Sequence, residues 1–237
     1  MADPIDELTD QELSEIERAH VWVTGTADSK GRVLGRRSAL YQIPERRVVI
    51  ANEMVGLAGK TVVEFGSLEG AHTIALCRAA SRVIALEARA ENIEKTKVRC
   101  RLYGAFPEIV KMDVERETPP EADMYFHSGV LYHLQDPVSH LLTIMGRAKE
   151  IVLDTHHAEN ATDTYMCATN GKSYPCWIYN EPPSGYKAGL SRFSRWLRLT
   201  DIVTTLSERF RRVEVARDEI ERNGPRATIV ATERVES

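Results

Sequence analysis

Cysteine is scarce in this chain: 237 residues hold four, Cys77, Cys100, Cys167 and Cys176, with no Cys-x-x-Cys pair. That argues against a structural zinc site and implies no disulfide framework, so a reduced, cytoplasmic setting is expected. No run approaches the roughly 18 apolar residues that span a bilayer, so no membrane partner is expected. The segment Met1 to Asp10 is acidic and lacks the apolar stretch of a secretory signal. A basic excess is missing too: 31 Lys and Arg face 35 Asp and Glu, a net charge of −4, and nucleic acid is therefore not expected as a partner. What is present is an ordinary globular mixture, 43% hydrophobic and 28% charged, which excludes disorder, collagen and coiled coil.

The charge is unevenly spread. Residues 1–20 carry seven acids against Arg18, a net of −6, which leaves +2 for the rest. The stretch Arg192 to Arg212 holds six arginines against Asp201 and Glu208 and is the expected counterpart of the acidic segment, within the chain or across a dimer. Arg192, Arg195 and Arg198 recur every third residue, which on a helix places them on one face.

Along the chain, Thr9 or Asp10 can cap a helix running to Val21, with Leu13 and Ile16 on one side. Gly25, Gly31 and Gly35 predict a loop over 24–37. Pro44 opens a helix that Gly59 closes. From Lys60 the pattern alternates. Short apolar strands are expected at 61–65, 82–86, 109–112, 124–126 and 151–153, with helices at 71–80, 90–102 and 137–147. Such alternation builds a parallel sheet with helices on both faces. Residues 156–190 interrupt it with Asn, Gly, Pro and aromatics (Tyr165, Tyr174, Trp177, Tyr179, Tyr186), a pattern expected of an irregular insert or lid that binds substrate or a second chain. A helix is expected from Leu190 to Phe210, then two antiparallel strands around the turn Asn223-Gly224-Pro225. Residues 1–43 thus form an appended helix and loop, a cap or dimer contact, and 44–237 the main domain.

Four strands end in a polar residue or glycine: Glu64-Phe65-Gly66, Glu87, Asp113 and Ser128-Gly129. Open α/β sheets bind ligands there, and an acid about 20 residues past a glycine turn suits ribose hydroxyls.

Val62-Val63-Glu64-Phe65-Gly66-Ser67-Leu68-Glu69-Gly70 resembles the glycine loop of class I S-adenosylmethionine-dependent methyltransferases. Ile84-Ala85-Leu86-Glu87 resembles their ribose-binding strand, Lys111-Met112-Asp113-Val114 their adenine-side aspartate, and Ser128 to Pro137 (SGVLYHLQDP) their motif after the fourth strand. The resemblance covers about 44–155. It implies a Rossmann-like, doubly wound, mostly parallel seven-stranded sheet with an antiparallel C-terminal hairpin. It also implies that Glu64, Gly66, Ser67, Gly70, Glu87, Ala88, Asp113, Val114 and Ser128 hold S-adenosylmethionine. One position departs: the family's usual middle glycine is Leu68 here, which argues against a dinucleotide, whose pyrophosphate needs that close approach.

Methyl transfer to a hydroxyl needs an aligned acceptor and a base for its proton. His133 is the first candidate, with Tyr132 beside it and Asp154 after the fifth strand. Asp154, His156 and His157 could instead hold Mg2+ against acceptor oxygens. The leading expectation is an O-methyltransferase of a small metabolite, a carbohydrate or glycosylated natural product, working as a homodimer. Two alternatives are an enzyme modifying the tRNA wobble uridine and a non-catalytic S-adenosylmethionine-binding module.

Overall fold

The computed structural model describes residues 3–37, 40, 42–159, 166–169, 171–181 and 187–235. Helix α1 (Asp10–Ala19) begins at a reciprocal cap: the Thr9 hydroxyl accepts from Glu12 N, and the Glu12 carboxylate accepts from Thr9 N. Such a cap is worth about 1 kcal/mol. The expected loop over 24–37 contains a two-stranded hairpin, β1 (Thr26–Ala27) and β2 (Val33–Leu34). Helix α2 (Arg46–Met54) follows, capped by the Glu45 carboxylate; it stops before Gly56 rather than at Gly59.

The central elements come in the order β3 (Thr61–Phe65), α3 (Ala71–Ala79), β4 (Arg82–Glu87), α4 (Ala90–Leu102), β5 (Glu108–Lys111), β6 (Ala122–Ser128), α5 (Pro137–Met145) and β7 (Ala148–His156). A three-stranded annex follows, β8 (Met166–Thr169), β9 (Lys172–Asn180) and β10 (Phe193–Leu197). Helix α6 (Leu199–Ser207) and the long hairpin β11 (Phe210–Glu221) and β12 (Gly224–Arg234) complete the chain. The large sheet has the order β11-β12-β7-β6-β3-β4-β5, with β3 to β7 parallel and β12 antiparallel to β7. The expected seven-stranded, mostly parallel sheet with its C-terminal hairpin is therefore what forms. The chain runs outward from β3 through β4 to β5, then returns to β6 and β7. The C-terminal ends of β3 and β6 thus flank a switch point, where such sheets bind ligands.

Side chains alternate across this sheet with period two. Val63, Phe65, Tyr125 and Leu153 pack with α5, α6 and the annex; Val62, Met124, Phe126 and Val152 pack with α2, α3 and the N-terminal segment.

Two local expectations change. Strands β8, β9 and β10 pair antiparallel in and just after the stretch expected to be irregular, and 193–197 are strand, not helix. Phe193, Trp196 and Leu197 fit helical spacing as well as strand spacing, and pairing with Cys176 to Asn180 decides the matter. Arg195 therefore lies on a strand and Arg198 caps α6, so the three arginines share no helix face. The acidic segment also has other partners than expected: Asp6 and Glu12 pair with Arg101, Asp10 with Arg32 and Glu7 with Lys30. Among the described residues no helix is long and apolar enough to cross a membrane.

A buried histidine pair lies under the switch point. His127 Nε2 on β6 is 2.9 Å from His140 Nε2 on α5, and His140 Nδ1 is 3.2 Å from the Val114 carbonyl. A carbonyl only accepts, so neutral His140 carries its hydrogen on Nδ1 and accepts from His127 at Nε2. Burial lowers both histidines, His140 to about 4 and His127 with added repulsion from His140. The unfolded chain takes up protons below pH 6.5 that the native state refuses, so stability is lost as pH falls from there towards 4. For His140 alone the loss is on the order of 1 kcal/mol at pH 5.5. Glu64 acts oppositely: burial raises it to about 7, so the fold is favoured as pH falls from 7 to 4.5. The histidine contribution is isolated by difference. Urea unfolding at pH 7.5 and 5.5 is expected to show a loss smaller by on the order of 1 kcal/mol or more in H127F/H140L than in the parent; equal losses would contradict the assignment.

Candidate active site

A cavity of about 420 Å³ opens at the C-terminal ends of the parallel strands, inside the roughly 300–1,000 Å³ range of small-molecule sites. One end is built by the loop after β3. Gly66 has φ 71°, and a Cβ there would lie 2.6 Å from Val130 Cγ2, so only glycine fits. Leu68 keeps the left-handed backbone expected of a glycine, at φ 52°, a conformation costing about 1–2 kcal/mol for a side-chain-bearing residue. Its N–H donates to Glu87 Oε2 at 3.0 Å, and Arg89 N donates to Glu87 Oε1 at 2.9 Å. A carboxylate has about four acceptor positions, so each Glu87 oxygen retains one for a ligand hydroxyl.

Ser67, Glu87, Ala88, Asp113, Val114 and Ser128 all line this end, as does Gly66. The Ser128 hydroxyl is buried with no partner among the described residues. Glu64 and Gly70 do not line the cavity: Glu64 is 1% exposed and accepts from the Thr73 hydroxyl at 2.5 Å, while Gly70 caps α3 in the left-handed region. Both shape the loop from beneath. The spare acceptors of Glu87, the unpartnered Ser128 hydroxyl and the space over Gly66 fit a nucleoside such as that of S-adenosylmethionine.

The chain then makes a single 3-10 turn, Leu131–His133, which brings Tyr132 and His133 to the cavity wall. His133 Nδ1 is 2.8 Å from Glu181 Oε1. Glu181 also accepts from Gly189 N at 2.9 Å and the Ser194 hydroxyl at 2.7 Å. Burial alone would raise this carboxyl, but the His133 contact and the other donors hold it below the usual carboxylate range. An ionised carboxylate can only accept, so Nδ1 carries the hydrogen and Nε2 of neutral His133 is left with a lone pair. Arg89 donates to the Ala188 and Gly189 carbonyls at 2.9 and 3.0 Å, tying the segment after Glu181 across to the Glu87 end. Glu181 had no sequence signal; it lies 48 residues from His133 in a stretch of unremarkable polarity.

The Tyr132 phenol is pushed above its ordinary value by burial, with Asp154 adding to the effect and Arg226 opposing it, so it keeps its proton near neutral pH. Asp154 is 1% exposed and stands behind the wall. Its Oδ1 accepts from Arg226 Nε at 2.6 Å and its Oδ2 from the Thr228 hydroxyl at 2.7 Å, and Arg47 Nε forms an ion pair with Oδ1 at 2.9 Å. These bonds suit a carboxylate that holds two guanidinium groups rather than one that meets an acceptor.

The expected Mg2+ set does not converge. His156 Nδ1 faces the Pro225 carbonyl at 3.0 Å, and His157 Nε2 faces Asp218 Oδ1 at 2.9 Å. Both Asp154 oxygens are occupied, and among the described residues no group of three His, Cys, Asp or Glu could hold a metal ion. Of the insert's aromatics, Tyr174 is buried, Trp177 and Tyr179 pack on Trp196, and none of these three lines the cavity. Tyr165 and Tyr186 lie outside the described residues.

No protein-family model matches the chain. A probable cobalt-precorrin-6B C(15)-methyltransferase (decarboxylating) of Halobacterium salinarum (strain ATCC 700922 / JCM 11081 / NRC-1) is 35% identical over 88 residues, 36% of this chain and 47% of that protein. The chain thus spans about half the length of the curated relative it matches. Among solved structures, the N-terminal domain of EvdMO1 with SAH bound superposes with a TM-score of 0.79 at 24% identity, over 97% of this chain and 98% of that one. The same domain in the presence of SAH and D-fucose gives 0.75 at 24% identity, over 96% and 98%. Magnesium protoporphyrin IX methyltransferase (ChlM) of Synechocystis PCC 6803 with bound SAM gives 0.53 at 14% identity, over 78% and 76%. At these identities the likeness to solved structures is one of fold.

Proposed function

From the premise that this chain has the class I S-adenosylmethionine-dependent methyltransferase fold, we propose that it methylates a hydroxyl of a small, sugar-like metabolite. The observation that carries the reading is the His133–Glu181 pair at 2.8 Å, on the wall of the cavity that Glu87 also lines. S-adenosylmethionine, when bound, supplies an electrophilic methyl group on a sulfonium. Glu87 binds the ribose hydroxyls, and Gly66 and Ser128 admit the nucleoside. His133 Nε2 takes the acceptor's proton, and Glu181 holds the ring in that tautomer and stabilises the imidazolium that results. Tyr132, still protonated, orients the acceptor as a hydrogen-bond donor.

The sugar-like acceptor draws support from the polar lining of the outer cavity, Thr24, Arg47, His72, Tyr132 and Asn223, and from the D-fucose present with the EvdMO1 domain of the same fold. An assay with methyl-labelled S-adenosylmethionine over hexoses, deoxyhexoses, phenols and tRNA tests it. Label is expected on a sugar oxygen; transfer only to carbon, phenol or tRNA would overturn the reading.

A further inference from the structure

The outer end of the cavity is ringed by cations. Arg47, Lys187 and Arg226 line it. Arg36 and Arg222 stand close enough to Lys187 for their charges to act on it. The anions in the area are already engaged. Glu45, Asp154 and Glu221 pair with Arg47, and Asp154 and Glu221 with Arg226; none of the three carboxylates lines the cavity. Glu69 does line it, but its oxygens accept from Val23 N at 2.5 Å and from Thr24 N and the Thr24 hydroxyl at 3.1 and 2.8 Å. Buried Lys95 and Arg99 lie 3.7 and 3.6 Å from the same carboxylate. Arg36, Lys187 and Arg222 pair with no carboxylate among the described residues.

We propose that the methyl acceptor carries an oxyanion, a phosphate or a carboxylate, seated between Lys187 and the Arg47–Arg226 pair. This deepens the O-methyltransferase reading and rests on it. Arg226 Nη2 pairs with Asp154 behind it, and a Cβ at Gly129 would lie 3.5 Å from that same nitrogen, so glycine keeps its other side uncovered towards the cavity. Arg226 is itself fixed, 9% exposed, bonded to Asp154 and lying 5.6 Å over the Tyr132 ring. A planar guanidinium held from behind by Asp154, with N–H groups left to turn towards the cavity, suits an oxyanion better than a neutral hydroxyl. Partial desolvation at the cavity mouth, reinforced by Arg36 and Arg222 and opposed by Glu69, lowers the Lys187 ammonium below the usual lysine range, though the residue as a whole is exposed. An anion brought there relieves that crowding, and the ring of positive charge would speed its capture.

The test uses the full chain saturated with S-adenosylhomocysteine and titrated calorimetrically with glucose 1-phosphate, galacturonate, inorganic phosphate, glucose and galactose. At least one anionic probe is expected to bind tenfold or more tighter than glucose and galactose. Preference for glucose 1-phosphate and phosphate identifies the anion as a phosphate; preference for galacturonate identifies a carboxylate. In K187Q/R222Q, two exposed positions, that affinity is expected to fall at least tenfold while S-adenosylhomocysteine binds within about twofold of the parent. If S-adenosylhomocysteine binds but no anionic probe exceeds the neutral sugars, or the double variant binds the anion unchanged, this inference is overturned alone. If the parent chain fails to bind S-adenosylhomocysteine, the cofactor reading beneath it falls as well.

Discussion

His133→Ala is expected to lower methyl transfer roughly 10²–10⁴-fold, the usual worth of a positioned general base, while S-adenosylhomocysteine affinity stays within about twofold. The expectation follows from the hydrogen-bond inventory around Glu181. Three donors converge on that carboxylate: His133 Nδ1, Gly189 N and the Ser194 hydroxyl. With the hydrogen held at Nδ1, the other ring nitrogen is the free acceptor. Alanine removes it without disturbing Glu87, which lies apart from it at the end of β4. Added imidazole should restore part of the rate, because the cavity left by the ring can take it. Glu181→Gln is a sharper probe of positioning. An amide offers one oxygen to three donors, so one donor must face the NH2 group, and if that donor is Nδ1 the ring adopts the wrong tautomer. kcat should fall with KM for S-adenosylmethionine unchanged. Full activity in His133→Ala would remove His133 from the chemistry.

Glu87→Ala is expected to weaken S-adenosylhomocysteine binding about 10²-fold, on the basis of roughly 1.5–3 kcal/mol for each hydrogen bond to a charged group. Two effects combine. The ribose hydroxyls lose their acceptor, and the N–H groups of Leu68 and Arg89, 3.0 and 2.9 Å from the carboxylate, lose theirs. Leu68 already sits at φ 52°, so the glycine loop has little in reserve once Glu87 stops holding it. Glu87→Gln should also bind poorly, because its NH2 group must face one of the two backbone donors. The check is calorimetry on variants whose unfolding midpoints show that they fold; unchanged affinity would sink the ribose assignment.

How much of this was legible in the sequence depends on the range of the interaction. Strands β3, β4, β5, β6 and β7 announce themselves by short apolar runs ending in Gly66, Glu87, Asp113, Ser128 and Asp154, and helix α4 forms over Ala90–Leu102 as the pattern predicts. The cavity-lining residues of the inner end follow from these strand ends. What the sequence hides is long-range pairing. Phe193 to Leu197 has helical spacing until β9 claims it. Glu181 has no local signature, and Arg47 and Arg226 meet across 179 residues only because Asp154 lies between them. The Asp154, His156 and His157 cluster reads like a metal site because three ligating residues fall within four positions. On a strand, neighbours point to opposite faces, so Asp154 turns to Arg226 and Thr228 while His157, just past the strand end, meets Asp218.

The account's central claim is that the strand-end cavity is a methyl-donor site. Its most direct test is calorimetric titration of the full chain with S-adenosylhomocysteine. One site per chain is predicted, with micromolar or tighter affinity, competed by S-adenosylmethionine. No binding heat up to millimolar ligand, in protein shown to be folded, would contradict it.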